Sequence, residues 1–179
     1  NSSKVRAGII NVTGYAGAEL ARLLYQHTQV DLISVTGRSA AGQKLGQLFP
    51  HLADVDLGIT SDITGNVDVV FSALPHAASA ERVEKSLEQD VKVVDLSADF
   101  RLKDINEYQA WYGKEHPCPK YMNQAVYGLP ELHRNEIALS NLIAVPGCYS
   151  TAAILALIPA ISSEAKLLVI PPFSSSPVY

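Results

Sequence analysis

The sequence has few cysteines, no block of basic residues and no long apolar segment. Its 179 residues include only two cysteines, Cys118 and Cys148, which are too few for a disulfide-stabilised scaffold. A reducing compartment is therefore expected, either the cytoplasm or, in a plant, the plastid stroma. No apolar run approaches the roughly 20 residues that a membrane-spanning helix requires, so no membrane association is expected.

Charge and composition exclude further classes of protein. The formal net charge is −4 and the isoelectric point is about 5.7, and no basic patch is visible, so nucleic-acid binding is not expected. His116 and Cys118 are near neighbours, but two potential ligands without a second cluster do not make a zinc site. No metal is predicted, and we expect this pair to pack within a loop.

Short apolar segments alternate with segments of helical spacing. Unbroken apolar runs such as Val69-Val70-Phe71 are typical of strands that are covered on both faces. Strands that alternate with helices of about a dozen residues indicate a doubly wound, mostly parallel α/β sheet of the Rossmann type. The predicted strands are residues 5–10, 31–36, 67–72, 91–96 and 141–145, and the predicted helices are residues 18–26, 77–87, 105–112, 132–139 and 151–158.

A glycine-rich turn follows the first predicted strand and opens directly into the first helix. Gly8 lies within the strand, and the segment Gly14-Tyr15-Ala16-Gly17 opens into the helix, with Asn11 where a middle glycine is often found. Glycines here let backbone N–H groups approach a pyrophosphate at the helix N-terminus. The segment is therefore a candidate cofactor-binding loop. The alternative is that its glycines serve only the tight turn.

The end of the second predicted strand indicates which nicotinamide cofactor is bound. NAD-binding sites usually carry an acidic residue there, which binds the ribose 2′-hydroxyl. This chain has Thr36, Arg38 and Ser39 instead, and a guanidinium flanked by hydroxyls suits a 2′-phosphate. NADP(H) is therefore the predicted cofactor. The alternative for Arg38 is a solvated surface position.

Two further loops follow predicted strands. Leu74 and Pro75 come after the third strand, and Ser97 comes after the fourth. Ligands of open α/β sheets bind outside the carboxyl ends of the strands. These three residues are therefore further candidates for contact with the cofactor.

Cys148 lies in a sharp turn between the last predicted strand and the last predicted helix. Pro146 and Gly147 mark the turn, and a segment rich in Ala and Leu follows it. A thiol at a helix N-terminus faces unpaired N–H groups and the positive end of the helix dipole, which favour the thiolate. Cys148 is a candidate nucleophile, and a buried, inert cysteine is the alternative. A nicotinamide cofactor beside an activated cysteine indicates hydride transfer to or from a cysteine-bound acyl group.

Seven segments, in order along the chain, form a recognisable set of motifs. They are Gly14-Tyr15-Ala16-Gly17-Ala18-Glu19-Leu20, Phe49-Pro50-His51-Leu52, Leu74-Pro75-His76, Asp95-Leu96-Ser97-Ala98-Asp99-Phe100-Arg101-Leu102, Trp111-Tyr112-Gly113, Val126-Tyr127-Gly128-Leu129-Pro130-Glu131-Leu132 and Pro146-Gly147-Cys148-Tyr149. In these segments the chain resembles the N-acetyl-gamma-glutamyl-phosphate reductases, which are related to the aspartate-semialdehyde dehydrogenases. The resemblance extends from about residue 5 to residue 161.

The resemblance implies NADPH-dependent reduction of N-acetyl-glutamyl 5-phosphate to the 5-semialdehyde through a cysteine thioester, in arginine biosynthesis. Cys148 matches the family nucleophile, and Arg101 matches an arginine suited to the phosphate or carboxylate of the substrate. We also expect a homo-oligomer when the protein is full length. Two alternatives stay open, namely a related semialdehyde dehydrogenase with another acyl-phosphate substrate and a non-catalytic NADP-binding fragment.

The sequence departs from the family in two respects. Ser150 stands where the family usually has proline, which is expected to leave the turn at the nucleophile slightly less rigid. Family members are about twice as long as this chain, and the histidine that acts as their acid/base belongs to their second half. None of the five histidines of this chain matches that catalytic histidine. We therefore expect an NADP-binding domain over residues 1–147. Residues 148–179 would hold the nucleophile helix, the incomplete start of a catalytic domain and an atypical tail over residues 164–179.

Overall fold

The structure, a computed structural model, describes residues 3–162. The chain divides into two compact units, Asn1–Pro146 and Gly147–Tyr179, and each is described by itself. The atypical tail over residues 164–179 lies outside the described residues. The predicted boundary between two domains at residue 147 stays a prediction.

A parallel sheet forms the centre of the first unit. In the described residues it has seven strands in the order β3-β2-β1-β4-β5-β7-β6, and every neighbouring pair runs parallel. The strands are β1 (Val5–Ile10), β2 (Val30–Thr36), β3 (Ile59–Thr60), β4 (Val69–Ser72), β5 (Lys92–Asp95), β6 (Val126–Tyr127) and β7 (Leu142–Ala144). The order runs outward in both directions from β1 and β4, which confirms the predicted doubly wound fold.

Helices of the first unit cover both faces of this sheet. The α-helices of residues 3–162 are α1 (Tyr15–Tyr25), α2 (Leu45–Leu48), α3 (Ser79–Glu88), α4 (Ile105–Tyr112), α5 (Pro130–Leu139) and α6 (Cys148–Ser162). The last of these belongs to the second unit. Within the described part of the chain, no helix combines the length and the apolar character needed to cross a bilayer.

Adjacent residues of β1 pack into different cores, because successive side chains of a strand point to opposite faces. Ile9 is fully buried in a cluster that includes Ala21 of α1, whereas Ile10 is buried in a second cluster with Ala80 and Val83 of α3. The two α3 residues are three positions apart and share one face of the helix. The sequence of β1 therefore fixes α1 and α3 on opposite sides of the sheet.

The predicted elements are present, with differences at their ends. Helix α4 has the predicted bounds, whereas α1 begins at Tyr15 rather than at residue 18, because the glycine-rich turn leads directly into the helix. Strands β3 and β6 have two residues each, and α2 has four. These three elements were not predicted, because such short segments show no hydrophobic periodicity.

The irregular segment after β5 packs around a buried histidine. The backbone N–H of Cys118 donates to Nδ1 of His116 at 3.0 Å, and Nε2 of His116 lies 2.8 Å from the carbonyl oxygen of Asp99. Because a backbone N–H can only donate, Nδ1 carries no proton, and Nε2–H donates to the carbonyl. The ring also packs against Phe100 and Tyr108, with centroids 5.2 and 4.7 Å away. The predicted packing role of His116 and Cys118 is confirmed.

We predict that His116 makes the fold less stable in mild acid. Burial lowers the pKa of His116 below its ordinary value of 6.5, and the hydrogen bond to Asp99 and the charges of Asp99 and Asp95 oppose this effect. Below pH 6.5 the unfolded chain therefore takes up a proton that the folded chain resists. As the pH decreases below 6.5, the free energy of unfolding should therefore decrease. At higher pH the contribution of His116 to the free energy of unfolding should stay constant.

The variant His116→Gln isolates this contribution, because its amide can donate a hydrogen bond and does not titrate. Urea denaturation of both proteins gives the difference between their free energies of unfolding at each pH. We expect a constant difference above about pH 7 and a shrinking difference between about pH 6.5 and pH 5. A difference that stays constant down to the lowest pH would contradict the neutral, hydrogen-bonded imidazole.

Candidate cofactor-binding site

A cavity of about 240 Å³ lies where the strand order reverses between β1 and β4. The connections after these two strands leave toward opposite faces of the sheet, and open α/β sheets bind ligands in the crevice between them. The cavity is lined by Ile10, Asn11, Thr13, Thr36, Gly37, Arg38, Ser39, Ser61, Leu74, Ala78 and Arg82. The loops after β1, β2 and β4 thus share one cavity, whereas the loop of Ser97 after β5 contributes no residue to its lining.

Asn11 links the β1–α1 loop to the two neighbouring loops. Its φ is 66°, in the left-handed region that asparagine adopts more readily than most residues. Its Nδ2 donates to the carbonyl oxygen of Ala73 at 2.9 Å, and its backbone N–H donates to Thr36 Oγ1 at 3.3 Å. Thr13 Oγ1 in turn donates to Asn11 Oδ1 at 3.2 Å. The residue in place of the middle glycine therefore makes side-chain bonds that glycine could not make.

The N-terminus of α1 presents backbone donors beside this loop. Gly14 is the N-cap residue and has no side chain to cap the helix, and the first turn contains no acidic residue. The N–H groups of such a turn have no partner within the helix and favour an anion. At Gly17, a Cβ atom would lie 2.2 Å from the carbonyl oxygen of Asn11 and 2.7 Å from the Cα of Val12. Gly17 is therefore required for the close packing of α1 against the β1–α1 loop.

The end of β2 forms the polar wall of the cavity. Thr36 is buried, whereas Arg38 and Ser39 are exposed, and all three line the cavity. Among the described residues that line it, none is acidic. This donor set fits an anionic group better than it fits a neutral ribose hydroxyl.

Arg82 of α3 brings a second guanidinium to the cavity. Its Nη2 donates to the carbonyl oxygen of Ser61 at 2.6 Å and forms an ion pair with Asp62 Oδ1 at 2.6 Å. Sequence reasoning missed this residue, because an arginine on an amphipathic helix is usually a solvated residue. The one signal was its place in the helix that follows β4.

A carboxylate from outside α3 caps that helix. Asp99 is fully buried, and its Oδ1 accepts from the N–H of Ala77 at 2.6 Å. Its Oδ2 accepts from the N–H groups of Ser79 at 3.1 Å and Ala80 at 2.9 Å. Three backbone donors at the start of α3 are thereby satisfied by one side chain. The loop that carries Leu74 and Ala78 into the cavity is fixed by the same bonds.

A second buried carboxylate, Asp95, extends this network. Ser79 Oγ donates to Asp95 Oδ1 at 2.6 Å, and Ser97 Oγ donates to Asp95 Oδ2 at 2.7 Å. Burial raises the pKa of Asp95, whereas these hydroxyl donors lower it. Ser97 Oγ also accepts from the N–H of Asp99 at 3.1 Å. The hydroxyl of Ser97 is thus used within the network.

Residues 6–140 match the family described as semialdehyde dehydrogenase, NAD binding domain. The chain belongs to this semialdehyde dehydrogenase family. The nicotinamide cofactor predicted from the glycine-rich turn agrees with it.

Two curated relatives are named as N-acetyl-gamma-glutamyl-phosphate reductases, one of them as a probable form. A protein of Dehalococcoides mccartyi named N-acetyl-gamma-glutamyl-phosphate reductase is 60% identical over 90% of this chain and 47% of its own length. A rice (Oryza sativa) protein, named a probable chloroplastic form, is 45% identical over 94% of this chain and 41% of its own length. The resemblance predicted from the motifs is confirmed. The chain spans about half the length of the curated relatives that it matches.

Solved semialdehyde dehydrogenase structures share the fold. Aspartate semialdehyde dehydrogenase II of Vibrio cholerae aligns with a TM-score of 0.65 at 18% identity, over 90% of this chain and 47% of that chain. The Candida albicans enzyme with NADP aligns with a TM-score of 0.61 at 17% identity, over 91% of this chain and 48% of that chain. At these identities the likeness concerns the fold alone.

The predicted site residues of this semialdehyde dehydrogenase domain fall into three groups. One group lines the cavity, namely Thr36, Arg38, Ser39 and Leu74. A second group, Gly14 to Gly17, forms the start of α1 with Tyr15 fully exposed. Pro75 and Ser97 belong to loops beside the cavity and do not line it. Their contacts with a cofactor stay predictions.

Arg101, the predicted substrate residue, joins the ends of two strands. Its Nε donates to the carbonyl oxygen of Val145 at 2.8 Å, and its Nη2 donates to that of Leu96 at 2.9 Å. These bonds hold the segments after β7 and β5 together and leave Nη1 outside them. A substrate contact of Arg101 stays a prediction.

Cys148 is the first residue of α6 in the second unit, as the turn predicts, and it is exposed. The side chains of Ser150 and Thr151 both donate to the carbonyl oxygen of Gly147, at 2.9 and 2.8 Å. The serine in place of the family proline therefore makes its own hydrogen bond at the turn. Among residues 3–162, no group of three or more His, Cys, Asp or Glu side chains is arranged to hold a metal ion.

We predict that Cys148 reacts faster with an alkylating agent than Cys118 does. Cys118 is buried, and burial raises the pKa of its thiol to about 11, with a further contribution from Glu84. Cys148 is exposed at the start of α6, where a reagent can reach its sulfur. Brief treatment with iodoacetamide near neutral pH, followed by peptide mapping, should show at least about tenfold faster modification of Cys148.

The Cys148→Ser variant serves as the control, and it should retain only the slow modification of Cys118. N-acetylcysteine gives the rate of an ordinary free thiol under the same conditions. Faster modification of Cys118, or a Cys148 rate no higher than that of N-acetylcysteine, would contradict an activated nucleophile.

Proposed function

We propose that residues 1–147 bind NADP(H) in the cavity at the β1–β4 switch point, with a preference over NADH. The observation that carries this proposal is the lining of the cavity, where Arg38 and Ser39 stand at the position of the usual acidic residue. A guanidinium binds phosphate oxygens in bidentate fashion. The uncapped first turn of α1 would hold the pyrophosphate through its backbone N–H groups.

We propose further that the full-length protein reduces N-acetyl-glutamyl 5-phosphate to N-acetyl-glutamate 5-semialdehyde. The 60% identity to a relative of that name over most of this chain supports the proposal. When bound, NADPH would supply the hydride for this reduction. The remaining steps fall to side chains of the protein, of which this chain holds the nucleophile.

Cys148 would act as that nucleophile. Its sulfur attacks the acyl carbonyl, the C–S bond forms, and the C–O bond to the phosphate breaks with release of inorganic phosphate. Hydride addition to the thioester carbonyl gives a tetrahedral thiohemiacetal whose alkoxide takes up a proton from an acid. When the C–S bond breaks, the hydroxyl proton returns to that acid's conjugate base, the C=O bond re-forms, and the products are the aldehyde and the regenerated thiolate. Arg101 would hold a phosphate or carboxylate oxygen of the substrate through the nitrogen that is not bonded to the backbone.

Two other functions are kept as alternatives. A related enzyme could reduce another acyl phosphate, and the structural likeness to aspartate-semialdehyde dehydrogenases is compatible with it but concerns the fold alone. A non-catalytic NADP-binding fragment is the second alternative. The names of the relatives favour the acetylglutamyl substrate, and the name of the rice relative favours a plastid location in a plant. A homo-oligomeric full-length enzyme and a cytoplasmic location in other organisms stay predictions.

We predict that Arg38→Ala weakens NADPH binding and has little effect on NADH. A charge-assisted contact to a phosphate contributes about 1.5–3 kcal/mol, which corresponds to roughly 10- to 150-fold in Kd. Fluorescence titration of the native chain and the variant with both cofactors gives the four constants. Equal affinities of the native chain for NADPH and NADH would overturn the assignment of Arg38.

We also predict that a chain of these 179 residues turns over poorly. Protonation of the alkoxide by a positioned acid contributes about 10²–10⁴-fold, and the resemblance assigns that histidine to the second half of the relatives. Phosphate-dependent reduction of NADP with N-acetyl-glutamate 5-semialdehyde should be at least about 100-fold slower than in a full-length relative. A variant of that relative, in which serine replaces the cysteine equivalent to Cys148, gives the background rate of the assay. Comparable rates would place the acid within this chain.

A further inference from the structure

Helix α3 forms one wall of the cavity, and Arg82 lies in this wall. The loop that carries Arg38 forms a different wall. Both residues line the cavity, but they come from different elements, Arg82 from α3 and Arg38 from the segment after β2. The side chain of Arg82 is only 28% exposed. Because this largely covered arginine lines the cavity, it would contact a cofactor that binds there.

The guanidinium of Arg82 is already held in place. Its Nη2 donates to the carbonyl oxygen of Ser61 and pairs with the carboxylate of Asp62, both at 2.6 Å. Both partners belong to the segment that follows β3. Because the side chain is anchored before any ligand arrives, it loses less conformational freedom on binding than a solvated arginine would.

The pairing with Asp62 also affects what Arg82 can bind. A guanidinium whose charge is balanced by a carboxylate attracts a phosphate less strongly than a free one does. An ion-paired guanidinium can still stack its plane on an aromatic ring. Arg82 is therefore better suited to a flat base than to a phosphate. Arg38 forms no ion pair among residues 3–162 and is the better phosphate ligand.

The expected position of the adenosine half points to the same assignment. The ribose 2′ position of a dinucleotide is read at the end of the second strand, which here is the wall formed by Thr36 to Ser39. The adenine base is joined to that ribose and must lie in the same part of the cavity. Three further residues line the cavity beside this wall. Ser61 directly follows β3, Ala78 directly precedes α3, and Arg82 belongs to the first turn of α3.

We propose that Arg82 forms one wall of the adenine subsite and stacks its guanidinium on the base, whereas Arg38 binds the 2′-phosphate. This assignment rests on the proposed binding of NADP(H) in the cavity. It makes Arg82 a determinant of affinity for adenine dinucleotides in general. It gives Arg82 no part in the choice between NADPH and NADH.

The test is a titration of the 179-residue chain with NADPH and with NADH, followed by cofactor fluorescence. Truncating a side chain that stacks on a base reduces affinity by roughly 5- to 150-fold. Arg82→Ala should therefore weaken binding of both cofactors by the same factor and leave their ratio unchanged. Arg82→Lys keeps the charge and the pairing with Asp62 but lacks the plane, and it should lose nearly as much.

Lys85→Ala is the matched control. Lys85 lies on the same helix, and it lines a neighbouring cavity of about 440 Å³ but not the cofactor cavity. This variant should bind both cofactors as the native chain does. Circular dichroism of all the variants verifies that they are folded.

The outcomes separate the Arg82 assignment from the proposed function. Native affinity in Arg82→Ala, full retention in Arg82→Lys, or a loss confined to NADPH would overturn stacking while leaving NADP(H) binding intact. Failure of the native chain to bind either cofactor would overturn the proposed function and the Arg82 assignment together.

Discussion

The carboxylate of Asp99 holds the first turn of α3, and the geometry of the cavity depends on where that turn begins. Three backbone N–H groups donate to this one side chain. A buried N–H group left without a partner costs about 1–3 kcal/mol, so an altered start of α3 would be expensive. Since Ala78 and Arg82 lie at that end of α3, a carboxylate outside the cavity determines the position of one of its walls.

Burying two carboxylates side by side requires compensation, and the two acids are compensated differently. Asp99 faces the positive end of the α3 dipole and accepts charge-assisted bonds from its N–H groups. Asp95 has hydroxyl donors from Ser79 and Ser97, and the charge of Asp99 adds to the effect of burial in raising its pKa. Ser79 contacts both acids and couples them. The motif that carries these residues therefore has a structural basis that is independent of any direct contact with substrate.

Local pattern was sufficient to predict the fold. Runs such as Val69-Val70-Phe71, alternating with amphipathic helices, indicated buried parallel strands in a doubly wound sheet. The order of the strands was not predicted and is known only from the structure. The starts of elements were less predictable, because α1 begins within the glycine-rich turn, where composition resembles a loop. Strands β3 and β6 form only because longer neighbours pair with them.

The candidate site was predictable where function depends on residues next to a strand end. Thr36, Arg38, Ser39 and Leu74 met that condition, and all four line the cavity. Arg82 did not, because its partners Ser61 and Asp62 are about twenty positions away and are brought to it only by folding. Asp99 and the amides that it caps are similarly distant in sequence. Long-range hydrogen bonds of this kind leave no periodic trace in the chain.

The close approach at Gly17 has a consequence for the thermodynamics of ligand recognition. Helix α1 is locked against the β1–α1 loop by a contact that leaves no room for a methyl group. The donors at the start of α1 are backbone groups of this rigid assembly, so their directions are set when the chain folds. When a phosphate binds to them, the protein loses little conformational entropy. The entropy cost of binding comes mainly from the lost motion of the ligand.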